Sequence, residues 1–153
     1  MKYILSDDKN IWKSFISSLD DENFDIYHTY EFNNIYSTGN EILFFLLQEK
    51  KNYIFFPILK KKIKDTGYFD FETPYGYGGP ITNCPEDIDF LNSSIKKFKE
   101  LALKEKIVAG IFRFSPYLSE KCIYNIKSIE KIYSSKTVIL NINNEKNYES
   151  IFK

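Results

Sequence analysis

At 153 residues, with 43% hydrophobic and 18% aromatic side chains, the chain is one domain's worth of sequence and too apolar to remain disordered. Its 21 basic and 21 acidic residues cancel, so no net field draws it toward nucleic acid or anionic lipid. Two isolated cysteines, Cys84 and Cys122, and a single histidine exclude the usual structural zinc sites, and no metal is expected.

The start of the chain turns acidic at Asp7 and Asp8 after three apolar residues, which is not the form of a signal peptide. No run reaches the ~18 apolar residues of a membrane helix, and the expected setting is the cytoplasm. Residues 3–5 read as an edge strand. Asp7 or Asp8 caps the helix that follows, whose core face is Ile11, Trp12, Phe15, Ile16 and Leu19. Trp12 is read as a core anchor. Thr29 is a candidate N-cap for a short helix with Phe32, Ile35 and Tyr36 facing inward and Gly39 at its end. His28 then falls in the connection just before the cap. As the sole histidine it is the one side chain that titrates near neutrality unaided. Two readings stand for it: a general base or substrate hydrogen-bond partner, and a loop histidine held by backbone groups.

Residues 41–48 and 53–59 are near-continuous apolar runs around a turn, which predicts an antiparallel hairpin of strands buried on both faces. Pro57 lacks the N–H that a central ladder uses, so a bulge or an unpaired position is expected there. Lys60, Lys61, Lys62 and Lys64 are expected at a solvated strand end. Residues 68–72 alternate apolar and acidic as a third strand, with Asp70 and Glu72 on one outward face.

That strand leads into residues 73–80, Thr-Pro-Tyr-Gly-Tyr-Gly-Gly-Pro, which hold three of the six glycines and two of the five prolines. No helix or ladder strand tolerates that density, so the stretch is a shaped loop. A capped loop at 82–87 precedes a long helix with Ile88, Leu91, Ile95, Phe98, Leu101 and Ala102 on its core face. Residues 107–114 form another strand, with Arg113, the only arginine, near its end and Ser115-Pro116-Tyr117 stopping it. Residues 118–132 fit no single pattern. A last strand is expected at 136–142, and Asn144 caps a helix shorter than the ~12 residues that are marginal in isolation. The chain is therefore read as part of something longer. The order of elements predicts an α/β (α+β) domain built on a mixed, largely antiparallel sheet flanked by helices.

The succession Tyr27-His28-Thr29-Tyr30-Glu31-Phe32, Phe56-Pro57-Ile58-Leu59, the 73–80 loop, Phe112-Arg113-Phe114-Ser115-Pro116-Tyr117 and Lys136-Thr137-Val138-Ile139-Leu140-Asn141 resembles the N-terminal half of the Fem-type transferases. These are peptidoglycan-bridge aminoacyl transferases, with relatives among the GNAT-type N-acyltransferases of cell-wall and surface-polysaccharide synthesis. The resemblance implies that residues 1–153 are a single GNAT-like domain, the first of two that share a cleft. In that cleft an amine of a sugar or peptidoglycan precursor is acylated. By position it implies that Tyr75, Gly76, Tyr77, Gly78 and Gly79 line the cleft. It also implies that His28, as catalytic base, and Tyr30 lie near the acceptor, and that Arg113 and Tyr117 sit at the strand end facing it. The implied donor is acyl-CoA or aminoacyl-tRNA. The Arg/Gln-x-x-Gly-x-Gly loop of acetyl-CoA users is absent, so no cofactor is expected on this piece itself. A C-terminal half or a second copy of the chain is the implied partner.

The chemistry of these residue types is compatible with acyl transfer. A glycine-rich turn offers backbone N–H groups to an oxyanion, tyrosines stack on a sugar, and an arginine can hold a carboxylate or phosphate. A non-catalytic substrate-binding or partner-binding module is the other class that the residues allow. A metal-dependent nuclease would require an acidic-x-Lys pattern on a strand after Asp70, and the sequence has none.

Overall fold

Two long apolar strands form the centre of a mixed α+β fold with a largely antiparallel sheet. The computed structural model describes residues 2–118 and 120–132. The strand expected at 136–142 and the helix expected from Asn144 lie outside them. In chain order the elements are β1 (Lys2–Ser6), α1 (Lys9–Ile16), α2 (Tyr30–Asn34), β2 (Glu41–Glu49), β3 (Asn52–Lys62), β4 (Phe69–Glu72), β5 (Ile81–Thr82), α3 (Ile88–Lys104), β6 (Ile107–Ile111) and α4 (Glu120–Asn125). The sheet runs β1-β2-β3-β4-β6, and the short β5 pairs with β3. Every pair is antiparallel except β4 with β6. That parallel pair is made through α3, because parallel neighbours need a long crossover.

Strand alternation sorts the apolar residues onto two faces. Leu43, Phe45 and Leu47 of β2 with Ile54, Phe56 and Ile58 of β3 meet Leu91, Ile95, Phe98 and Ala102 of α3. Phe44, Leu46, Tyr53 and Phe55 point the other way, onto Trp12, Phe15 and Ile16 of α1. Both faces are covered, which is why these two strands carry almost no polar residues.

The helix caps fall where the sequence places them. The Asp8 carboxylate accepts from Asn10 N at 2.8 Å and Ile11 N at 3.1 Å, Thr29 Oγ1 from Phe32 N at 3.3 Å, and Asp87 from Phe90 N at 3.0 Å. The inward faces are less faithful. Ile11, Ile35 and Ile88 are exposed, and Asn33 is the residue that α2 buries. Asn33 Nδ2 donates to the carbonyls of Tyr27 at 3.0 Å and Thr29 at 2.7 Å, so α2 packs through hydrogen bonds rather than an apolar stripe.

Pro57 sits in register with Phe44, and the β2–β3 ladder has no bulge there. On the opposite edge of β3, β5 covers residues 54–55 and β4 covers 59–62, which leaves 56–58 without a strand partner. The proline occupies that gap, where a missing N–H costs no ladder bond. Lys60 also departs from expectation. It is 7% exposed, and its ammonium lies 3.1 Å from the carboxylates of both Glu41 and Glu105, over the ring of Phe69. Instead of ending a strand in solvent, it joins β2 to the C-terminus of α3. No helix among the described residues is long and apolar enough to cross a membrane.

Candidate functional site

The loops that leave β4 and β6 start at the same end of the sheet, because those strands are parallel. In open α/β sheets ligands bind outside the carboxyl ends of parallel strands, and here a single parallel pair forms such an end. Residues 73–80 follow β4 and residues 112–118 follow β6, and hydrogen bonds join the two loops. Thr73 N donates to Ile111 O at 3.0 Å, Arg113 N to Thr73 Oγ1 at 2.9 Å, and Gly79 N to Arg113 O at 2.8 Å. The approach is close enough to exclude a side chain at Gly79, where a Cβ would stand 2.7 Å from Arg113 O.

His28 fastens the same loop from the other side. Its Nδ1 accepts the Asp25 N–H at 3.1 Å, which leaves Nε2 as the protonated nitrogen, and Nε2 donates to Gly79 O at 2.9 Å. Its own carbonyl accepts from Trp12 Nε1 at 2.8 Å. The side chain has no solvent exposure. Burial pushes its pKa below the usual histidine value, against the pull of the Gly79 and Asp25 backbone groups. A general base needs a nitrogen that faces substrate, and His28 has none. The expectation of a catalytic base is replaced by a buried strut between α1 and the glycine loop.

Arg113 is likewise engaged. Nη1 donates to Thr73 O at 2.6 Å and Nη2 to Glu72 at 2.8 Å. Glu72 also bonds Lys61, and these two cations, Lys61 first, hold its carboxyl below the usual range. The guanidinium therefore ties β4 to the β6 loop, and both terminal nitrogens already hold partners rather than waiting for a substrate carboxylate. Tyr30 is not brought to the loop. It packs against Trp12 and beneath Lys9 of α1, and its hydroxyl donates to Asn34 of its own helix at 3.3 Å.

The structure leaves the tyrosines at the surface. Tyr75 is 77% exposed, Tyr77 39% and Tyr117 75%. Gly76 adopts φ +96°, a region open to glycine, and its backbone rests on the ring of Tyr27. Gly78 packs on Pro57 and Pro74, covering the gap beside β3. From Gly76 and Tyr77 a groove of about 960 Å³ continues past Arg113 and Pro116 along β6. Tyr27 joins the site from its place beside His28 in an aromatic run, and Thr73 and Glu72 join it through their bonds to Arg113.

The cysteines offer no nucleophile. Burial raises the Cys84 thiol and pushes Cys122 up to about 12. At pH 8, iodoacetamide is expected to label Cys84 slowly and Cys122 only once urea unfolds the chain. Labelling of native Cys122 as fast as a free thiol would contradict its burial. Among the described residues, no three His, Cys, Asp or Glu side chains group as metal ligands. No family model matches the chain, and neither does any curated protein or solved structure compared with it.

Proposed function

We propose that this chain is the acceptor-binding domain of an N-acyl or aminoacyl transferase, the N-terminal part of a cytoplasmic two-domain enzyme acting on an amine of a sugar or peptidoglycan precursor. The observation that carries this reading is the loop at 73–80, which is held rigidly at both ends and presents Tyr75 and Tyr77 outward at the carboxyl end of the parallel pair. Rigid aromatic side chains with polar tips bind at small entropic cost, and a preorganised wall is what alignment of an acceptor requires. In the transfer step the amine nitrogen bonds to the acyl carbon, the donor's C–O or C–S bond breaks, and a proton leaves the nitrogen. His28 cannot take that proton. The base and the acyl-CoA or aminoacyl-tRNA donor belong, in this reading, to the completing domain or a second copy. The burial of His28 equally favours a second reading, a module that binds a substrate or partner without catalysis.

The test is binding by the chain itself. Titration with N-acetylglucosamine, glucosamine and a lysine-containing tripeptide, followed by amide NMR shifts, is expected to perturb residues 75–79 with at least one of them. Tyr75→Ala and Tyr77→Ala each weaken that binding by roughly tenfold. If no probe moves this loop, or if both variants bind as wild type does, the acceptor reading is wrong.

A further inference from the structure

β6 is the last strand of the sheet among the described residues, and it pairs on one side only, with β4. Thr73 N reaches Ile111 O across that pair, so Ile111 faces β4. Gly110, one residue earlier, therefore turns its N–H and C=O to the other side, where no described strand takes them up. Val108 is 52% exposed and Ile111 62%. An apolar edge of this kind pairs with any strand it meets, so proteins cover it.

The groove of about 960 Å³ runs along this edge, with Phe71, Phe98, Ala102 and Phe112 among its walls. Its occupant has to satisfy both an apolar wall and a row of backbone donors and acceptors. A hydrocarbon chain or a flat aromatic molecule would cover those backbone groups without bonding them, at a loss. A β-strand meets both demands, giving its ladder bonds to the edge and its side chains to the wall.

The chain carries such a strand close by. Residues 128–132 line the groove themselves, with Ile129 packed on the α3 core and Lys99 Nζ donating to Ser128 O at 2.6 Å. From Ile132 to Lys136 the chain reaches at most about 14 Å, less than the ~17 Å length of a five-residue strand such as β6. The segment that follows, Thr137-Val138-Ile139-Leu140-Asn141-Ile142, bears no charge. In an extended chain Val138, Leu140 and Ile142 share one face and Ile139 lies on the other, which suits a strand placed between an edge and a wall of phenylalanines. The tether also favours it over a second molecule, because an attached segment is present at an effective concentration on the order of millimolar.

We propose that residues 137–142 add to the outer edge of β6 as the next strand of the sheet and fill the groove beside it. Filled in this way, the groove holds the chain itself and not a ligand, independently of what binds at Tyr75 and Tyr77.

The test reads the Gly110 N–H of the whole chain by NMR hydrogen exchange. Gly110 is expected to exchange about tenfold or more slower than an open edge amide, and to show backbone NOEs to residues 137–142. Ile139→Pro and Leu140→Pro are neighbours, so on a strand the N–H groups they remove point to opposite sides and only one belongs to the ladder with β6. One of the two variants is expected to speed Gly110 exchange about tenfold or more, and the other to leave it close to wild type, with the β2 and β3 amides protected in both. Gly110 exchange at the rate of an unstructured peptide overturns the pairing, and so does protection that survives both prolines. Protection that appears only as the chain dimerises with rising concentration overturns it as well, by assigning the edge to a second copy. The NOEs need no variant: their absence between Gly110 and residues 137–142 in the wild-type chain overturns the pairing even where a proline damages the fold.

Discussion

His28→Ala is expected to destabilise the fold by about 3 kcal/mol, seen as a lower urea midpoint at unchanged m. The substitution removes no catalytic group in this account. It leaves Gly79 O buried without a partner, costing about 1–3 kcal/mol, removes the acceptor of the half-buried Asp25 N–H, and opens a cavity beneath the loop. His28→Gln, which can still donate to Gly79 O, recovers about 1 kcal/mol of this. The pH dependence separates the strut from any other role. Burial depresses the folded-state pKa below the 6.5 of the free side chain. As pH falls through 6.5 the unfolded chain takes up a proton before the folded one does, so stability is full above that pH and declines below it. The decline stops once the folded-state pKa is passed. Wild type minus His28→Ala, measured from pH 7.5 to 5, isolates this slope from the carboxylates, which titrate lower. Parallel curves for the two proteins would show that His28 is not buried neutral.

Gly79→Ala is expected to cost a similar amount, about 3 kcal/mol, for a reason that no amount of side-chain adjustment relieves. The added methyl would stand 2.7 Å from Arg113 O, 2.9 Å from Phe114 Cα and 3.0 Å from Arg113 C, all of them backbone. Relieving the clash moves the loop away from the end of β6 and breaks the 2.8 Å bond from Gly79 N to Arg113 O. It also strains the 2.9 Å bond from His28 to the same residue. Amide exchange at Gly79 and Thr73 should rise together, because both N–H groups bond across the gap that opens. Gly67→Ala is the control. Nothing lies within 4 Å of a Cβ there, and its effect on the urea midpoint should be close to zero. Equal effects at positions 67 and 79 would mean that the two loops are not in contact.

The hairpin of β2 and β3 and the long helix α3 are legible in the amino-acid order, because a strand buried on both faces must be apolar at every position and a long helix repeats its face several times. The caps are legible for a similar reason, since Asp8, Thr29 and Asp87 each act within a few residues of themselves. Short elements lose this redundancy. α2 is five residues long, too brief for a periodic face, so Asn33 turns inward and Ile35 outward according to what α2 meets. β5 is two residues long and exists only because β3 offers an edge there.

The candidate site divides along the same line. The density of glycine, proline and tyrosine in residues 73–80 marks a shaped loop without any tertiary information, since only those backbones and rings suit such a turn. The roles of His28 and Arg113 are different in kind. A histidine becomes a strut or a base according to what its two nitrogens meet, and here they meet Asp25 and Gly79, the latter 51 positions along the chain. An arginine becomes a tie or a ligand clamp according to whether a carboxylate such as Glu72 arrives 41 positions away. Composition and spacing thus specify a mixed sheet, its central strands and a tyrosine-bearing loop, because those depend on local backbone preference and burial. Which polar groups remain for a ligand is decided by long-range pairing: a buried donor or acceptor takes whichever partner the fold brings to it, and that partner is not a neighbour in sequence.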